Sequence, residues 1–131
     1  MRLYKINWNS SIINLFFLLF VFSCSSEQVG IEEKLSGTWL RSDGTYKIEI
    51  TEVKEDGDLV TKYFNPDPIN VGRAGWRIQN KEVQIYIELR DENYPGSIYQ
   101  LNYNEESKTL RGTYYQAVAR QTYEVTFKKT K

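Results

Sequence analysis

From Gly37 onward the apolar residues of this chain recur at every second position, a period that dictates strands rather than helices. Val83, Ile85, Ile87 and Leu89 alternate with Gln84, Tyr86, Glu88 and Arg90. The same rhythm runs through Tyr46, Ile48 and Ile50, and again through Tyr123, Val125 and Phe127. Each run has one face to bury and one to wet, so none is stable alone. Turn residues cut the region into eight runs: 37–41, 45–53, 59–64, 71–79, 83–89, 98–103, 109–116 and 121–129. Asp56-Gly57, Gln79-Asn80-Lys81-Glu82 and Asn104-Glu105-Glu106-Ser107 read as hairpin connections. The expectation is an all-β fold, an eight-stranded antiparallel up-and-down barrel, because closure removes exposed strand edges. A two-sheet β-sandwich is the runner-up, since periodicity does not separate the two. A barrel of eight is just wide enough to fill with side chains or to hold one small ligand.

Composition then narrows the chemistry. The chain has no histidine and one cysteine. It therefore lacks a Ser-His-Asp or Cys-His apparatus, a histidine zinc site and an internal disulfide. Seventeen Lys and Arg balance seventeen Asp and Glu, which gives no electrostatic hold on nucleic acid. Glu55-Asp56-Gly57-Asp58 gathers carboxylates but lacks the ligand spacing of a calcium loop, and Asp-Gly is ordinary hairpin chemistry. Glu88, Asp91 and Glu92 offer the residue types of a glycosidase pair. Alternation turns Glu88 away from the apolar face, toward solvent, where no cleft raises its pKa. The expectation is a noncatalytic protein that needs no cofactor and no metal.

The first 23 residues are of another kind. Arg2 and Lys5 precede Ile12-Ile13-Asn14-Leu15-Phe16-Phe17-Leu18-Leu19-Phe20-Val21-Phe22, with Ser23 and Cys24 following. A basic start, a short apolar run and a small residue form the pattern of an export signal. A membrane-spanning helix needs about 20 apolar residues, more than this run holds. Val21-Phe22-Ser23-Cys24 resembles the lipobox of bacterial lipoproteins, with Phe22 larger than the residue usual there. The resemblance implies cleavage before Cys24, acylation of its thiol, and anchoring to a membrane of the bacterial cell envelope. An incidental free cysteine is the alternative. On this reading 1–23 is the signal, 24–35 a lipidated polar tether with at most a helical turn near Ile31–Leu35, and 36–131 the barrel. Loss of Arg2 and Lys5 leaves the remainder with a net charge of −2.

Leu35-Ser36-Gly37-Thr38-Trp39 resembles the Gly-X-Trp opening of lipocalin and avidin-type barrels, the calycin group. That resemblance implies that Trp39 plugs one barrel end and that Gly37 lets the backbone turn into the first strand. It also implies a late-strand basic residue over the Trp, for which Lys128 and Arg120 are the candidates. Blocks such as Tyr63-Phe64-Asn65-Pro66, Tyr94-Pro95-Gly96-Ser97 and Gly112-Thr113-Tyr114-Tyr115 are similar to a group of small exported bacterial proteins, a resemblance that implies no activity.

In a meander the connections alternate between two ends. Those after the second, fourth and sixth strands are short and charged. Residues 65–70, 90–97 and 117–120 are longer, hold all three prolines, and fall at the end away from the tether. Long loops on a rigid scaffold are where binding usually resides. The expected site is a mouth lined by Tyr63, Asn65, Asn70, Tyr94, Tyr99 and Arg120, open to a small apolar ligand, a sugar or an envelope component. Core filling and turn rigidity explain the same residues without a ligand. The alternative function is a protein-interaction or inhibitor subunit of an envelope complex, with a filled barrel.

Overall fold

The structure, a computed structural model, describes residues 25–130, with side chains from residue 28 onward. The export signal and Cys24 lie outside the described residues. Helix α1 spans Ser25–Leu35 and is followed by nine strands: β1 Gly37–Arg41, β2 Lys47–Val53, β3 Leu59–Phe64, β4 Pro68–Ile69, β5 Val71–Gln79, β6 Glu82–Asp91, β7 Tyr94–Asn104, β8 Thr109–Gln116 and β9 Gln121–Lys129. They form one antiparallel sheet in the order β4-β3-β2-β1-β9-β8-β7-β6-β5. The sheet curls into a nearly closed barrel, which removes the sandwich alternative. The count is nine rather than eight, because Pro68 and Ile69 pair briefly with Phe64 and Tyr63 inside the expected loop.

Closure between the two outer edges rests on a few bonds. Trp76 N donates to Gly57 O at 2.7 Å, its indole Nε1 donates to Lys54 O at 2.8 Å, and Asp58 bridges Gly75. A Cβ on Gly75 would stand 3.0 Å from the Gly57 carbonyl oxygen, so the bare backbone permits this approach. The Gly57 turn itself is set by Asp58 N donating to Asp56 Oδ1 at 3.0 Å and by a φ of 95° at Gly57. This is the Asp-Gly hairpin tip the sequence predicts.

The α1 end of the barrel is sealed. Ile31 and Leu35, four residues apart on one helix face, are 4% and 0% exposed. The stretch expected to serve as a polar spacer is thus helical along Ser25–Leu35 and packs on the core. Its two buried residues are too few to give an amphipathic pattern, which is why the sequence hides it. A helix leaves its last four carbonyls without internal partners. Here Ser36 N bonds Glu32 O at 2.9 Å, Lys129 Nζ bonds Glu33 O at 2.9 Å and Lys34 O at 3.3 Å, and the Trp39 indole bonds Leu35 O at 2.9 Å. All four are accounted for. Trp39 is fully buried, and Lys129 Nζ lies 5.3 Å from its ring centroid. The basic residue over the tryptophan is therefore Lys129, and neither Lys128 nor Arg120. Lys128 points to the other side of β9, and Arg120 sits in the distant β8–β9 turn. Gly37 is required by its backbone, whose φ is 125°, and an added Cβ would also crowd Lys129 Cε at 3.0 Å.

Candidate functional site

The opposite end is formed by residues 42–46, 65–70, 92–93 and 117–120. The expected long loop 90–97 is mostly strand, because β6 runs to Asp91 and β7 restarts at Tyr94 across a two-residue turn. Gly96, with a φ of 89°, lies where the β6–β7 register shifts between Leu89 and Arg90. That bulge takes up the proline-glycine pair that reads as loop in the sequence. Residues 65–70, 91–94 and 117–120 do gather at one end. Asn65 Nδ2 donates to Tyr94 Oη at 2.5 Å, Asn70 N to Asp91 Oδ2 at 3.0 Å, and Ala117 N to Ser97 Oγ at 3.1 Å.

Beneath this end the barrel holds a chain of aromatic rings. Tyr94 packs edge-on to Tyr63 at 6.2 Å, Tyr63 lies 5.6 Å from Tyr99, and Tyr99 stacks on Tyr114 at 4.4 Å. Phe127 meets Tyr99 edge-on at 5.4 Å. The Tyr63 and Tyr99 hydroxyls share a 2.9 Å hydrogen bond. At these levels the interior is filled by side chains.

One cation is set into this ring system. Arg41 follows Trp39 by two positions on β1 and so faces inward, with a side chain only 10% exposed. Its guanidinium lies 3.8 Å from the Tyr46 ring centroid and donates from Nη1 to Tyr99 Oη at 3.3 Å. The remaining edge grips Asp43 in two places, Nε to Oδ1 at 2.5 Å and Nη2 to Oδ2 at 3.2 Å. Burial alone would lower the Arg41 pKa, but the bonds to Asp43 and Tyr99 outweigh it and raise it. The same pairing holds the Asp43 carboxyl below its ordinary value. Burial pushes the Tyr99 phenol up to about 12, against the bonds from Tyr63 and Arg41, and raises Tyr63 and Tyr114 as well.

The structure distributes the expected mouth residues over three settings. Tyr63 and Tyr99 are core, 1% and 0% exposed. Asn65 and Tyr94 form a half-buried pair at the rim, and Asn70 is exposed beside Asp91. Arg120 stands exposed in the β8–β9 turn with a φ of 52°. Gly37 and Trp39 belong to the sealed end. Arg41, Asp43, Tyr46 and Tyr114 were not singled out by the sequence. The spacing Trp39-x-Arg41 holds the clue to Arg41, since an inward Trp at one position carries the residue two further on to the same side.

Glu88 also differs from its expected placement. It does face outward, yet it is 4% exposed, covered by Tyr86, Arg73 and Arg90. Tyr86 Oη donates to Oε2 at 2.8 Å, Arg73 Nη2 to Oε2 at 3.3 Å, and Arg90 Nε to Oε1. The tyrosine hydroxyl, and after it the two arginines, hold the carboxyl below its ordinary value despite its burial. The arrangement keeps Glu88 ionised, the reverse of what a general acid requires. Comparison with protein-family models, curated proteins and solved structures finds no match for this chain.

Proposed function

We propose that the chain is a lipid-anchored, noncatalytic binding module of the bacterial cell envelope, with a calycin-like barrel whose recognition end faces away from the membrane. The observation that carries this reading is the polarity of the barrel. Helix α1 begins at Ser25, directly after Cys24, and packs on the sealed Trp39 end. The turns 42–46, 65–70, 92–93 and 117–120 form the other end. Arg41 over Tyr46, beneath Trp39 in the barrel, supports a recognition role for that end, with a small apolar ligand, a sugar or an envelope component as its target. The Gly37–Trp39–Lys129 arrangement supports the calycin likeness.

The filled interior favours a second form of the same reading, an interaction or inhibitor subunit that uses its surface. Tyr115, Val118 and Tyr123 are exposed around the β8–β9 turn, where apolar side chains suit a protein partner. Two measurements in cells test the proposal together. Cys24→Ser should abolish incorporation of labelled fatty acid and release the protein from the membrane fraction. A photo-crosslinking residue at Val118 should give adducts, whereas one at Glu55, on the anchor-side hairpin, should not. Fatty-acid labelling that survives the Cys24 change, or adducts confined to position 55, would overturn it.

A further inference from the structure

The strongest unexplained feature lies on the flank of the barrel, running from the Gly57 hairpin tip across β5 to β8. A trough of about 550 Å³ crosses the outer face, lined among others by Arg77, Gln84, Tyr86, Gln100, Asn102 and Thr113. That volume falls within the range of roughly 300–1,000 Å³ typical of small-molecule sites. Strand register explains the lining. Arg77, Gln84 and Asn102 are successive cross-strand partners on β5, β6 and β7, and Gly75, Tyr86, Gln100 and Thr113 form the next such row, reaching β8. Both rows face outward, because the intervening row of Ile85 and Leu101 is buried in the core.

The polar groups are oriented in advance. Arg77 Nε donates to Gln84 Oε1 at 2.9 Å, which leaves the Gln84 amide nitrogen as a donor toward the trough. Asn102 Nδ2 donates to Glu82 Oε2 at 3.0 Å, which leaves the Asn102 carbonyl as an acceptor. Tyr86 reaches along its own strand to Glu88, two residues on, so its ring lies along the sheet surface instead of standing away from it. Glu88, itself held by Arg73 and Arg90, is thus a positioning residue for that ring. The residues named supply donors, acceptors, one aromatic face and a single charge.

We propose that this face of β5–β8 is a binding site for a neutral, hydroxyl-rich chain, an oligosaccharide. A sugar hydroxyl both donates and accepts, matching the paired amides, while the C–H face of a pyranose ring covers the Tyr86 ring. A peptide fits less well, because its affinity draws on apolar side-chain pockets or on a free strand edge. Here β6 and β7 are paired on both sides. The outer edge of β5, the end strand of the sheet, is already met beside the trough by Gly57 and Asp58 at Trp76 and Gly75. The site goes beyond the distal-end reading and stands or falls apart from it.

The test is calorimetric titration of the full chain, in detergent, with neutral tetrasaccharides of glucose, N-acetylglucosamine and mannose. At least one should bind saturably. The double change Gln100→Ala with Asn102→Ala should weaken that binding about tenfold or more, as the loss of two hydrogen bonds implies, with an unchanged melting temperature. Tyr86→Phe keeps the ring but frees it from Glu88, and should weaken binding less. Amide NMR shifts should cluster at residues 84–86, 100–102 and 113. No saturable binding of any of the three, binding indifferent to the double change, or shifts confined to residues 42–46 and 117–120 would overturn the site. The last outcome would leave the distal-end reading intact.

Discussion

Arg41 and Glu88 face opposite sides of the same sheet, Arg41 held by Tyr99, the Tyr46 ring and Asp43, and Glu88 by Tyr86 and two arginines. Both alternate as their sequences demand, one inward with Trp39 and one outward with Tyr86. What alternation does not convey is cover. Glu88 is buried by three long side chains folded over it from β5 and β6, and those contacts depend on cross-strand register. The consequence can be measured. Because the folded state holds the Glu88 carboxyl below 4.5, its ionised form favours folding. That contribution is complete above 4.5 and is lost as pH falls through the lowered value, alongside those of Asp43, Asp91 and Glu105. Denaturant unfolding from neutral pH to about pH 3 should therefore show falling stability, with a shallower fall in Glu88→Gln. An identical slope in the variant would show that Glu88 is not coupled to folding.

At the scale of elements, the strands were legible and the helix was not. Runs 37–41, 59–64, 71–79, 109–116 and 121–129 coincide with β1, β3, β5, β8 and β9. There turn residues bound the runs closely on both sides. Prolines and glycine misled where a bulge absorbs them, as at Pro95-Gly96 between β6 and β7, and where two residues pair at Pro68–Ile69. Helix α1 was missed because tertiary contacts make it. Leu35 is fully buried, so Leu35→Ala should cost about 3 kcal/mol through lost burial and the cavity left behind. The same change should open the α1 end, raising the fluorescence sensitivity of Trp39 to added quencher. Unfolding of the variant at the parental denaturant midpoint would show that α1 contributes nothing to the barrel.

Over the whole molecule, the all-β antiparallel fold and the gathering of residues 65–70, 91–94 and 117–120 at one end could be read from periodicity and turn residues. The greater length expected of those turns could not, since 92–93 and 117–120 are no longer than 80–81 and 105–108 at the other end. Nor could the interior. Tyr63 and Tyr99 read as mouth residues because they stand near loops, yet the small radius of the barrel draws them into the core. Their hydroxyls are then satisfied by each other and by Arg41. This makes the interior sensitive to base. The folded state raises the phenol of Tyr99 from 10.0 to about 12 through burial, so the neutral phenol favours folding. That stabilisation is complete below pH 10 and is lost as pH rises toward 12. Ultraviolet titration of the ten tyrosines should accordingly show a late phase from Tyr63, Tyr99 and Tyr114, which Tyr99→Phe reduces. A single phase in the native protein would contradict the buried network.

The latch at the sealed end also bears on the order in which the chain can fold. Lys129 meets Glu33 across 96 residues, and β1 finds its second neighbour only in β9. Hairpins β5 to β9 can zip up from local contacts. The first strand, its tryptophan and the helix before it must wait for β9 to arrive. Such distant pairing is slow, on the order of milliseconds to seconds in barrels of this kind. Until then α1 and β1 are the part left open, and the lysine that ends β9 is the residue that shuts them in.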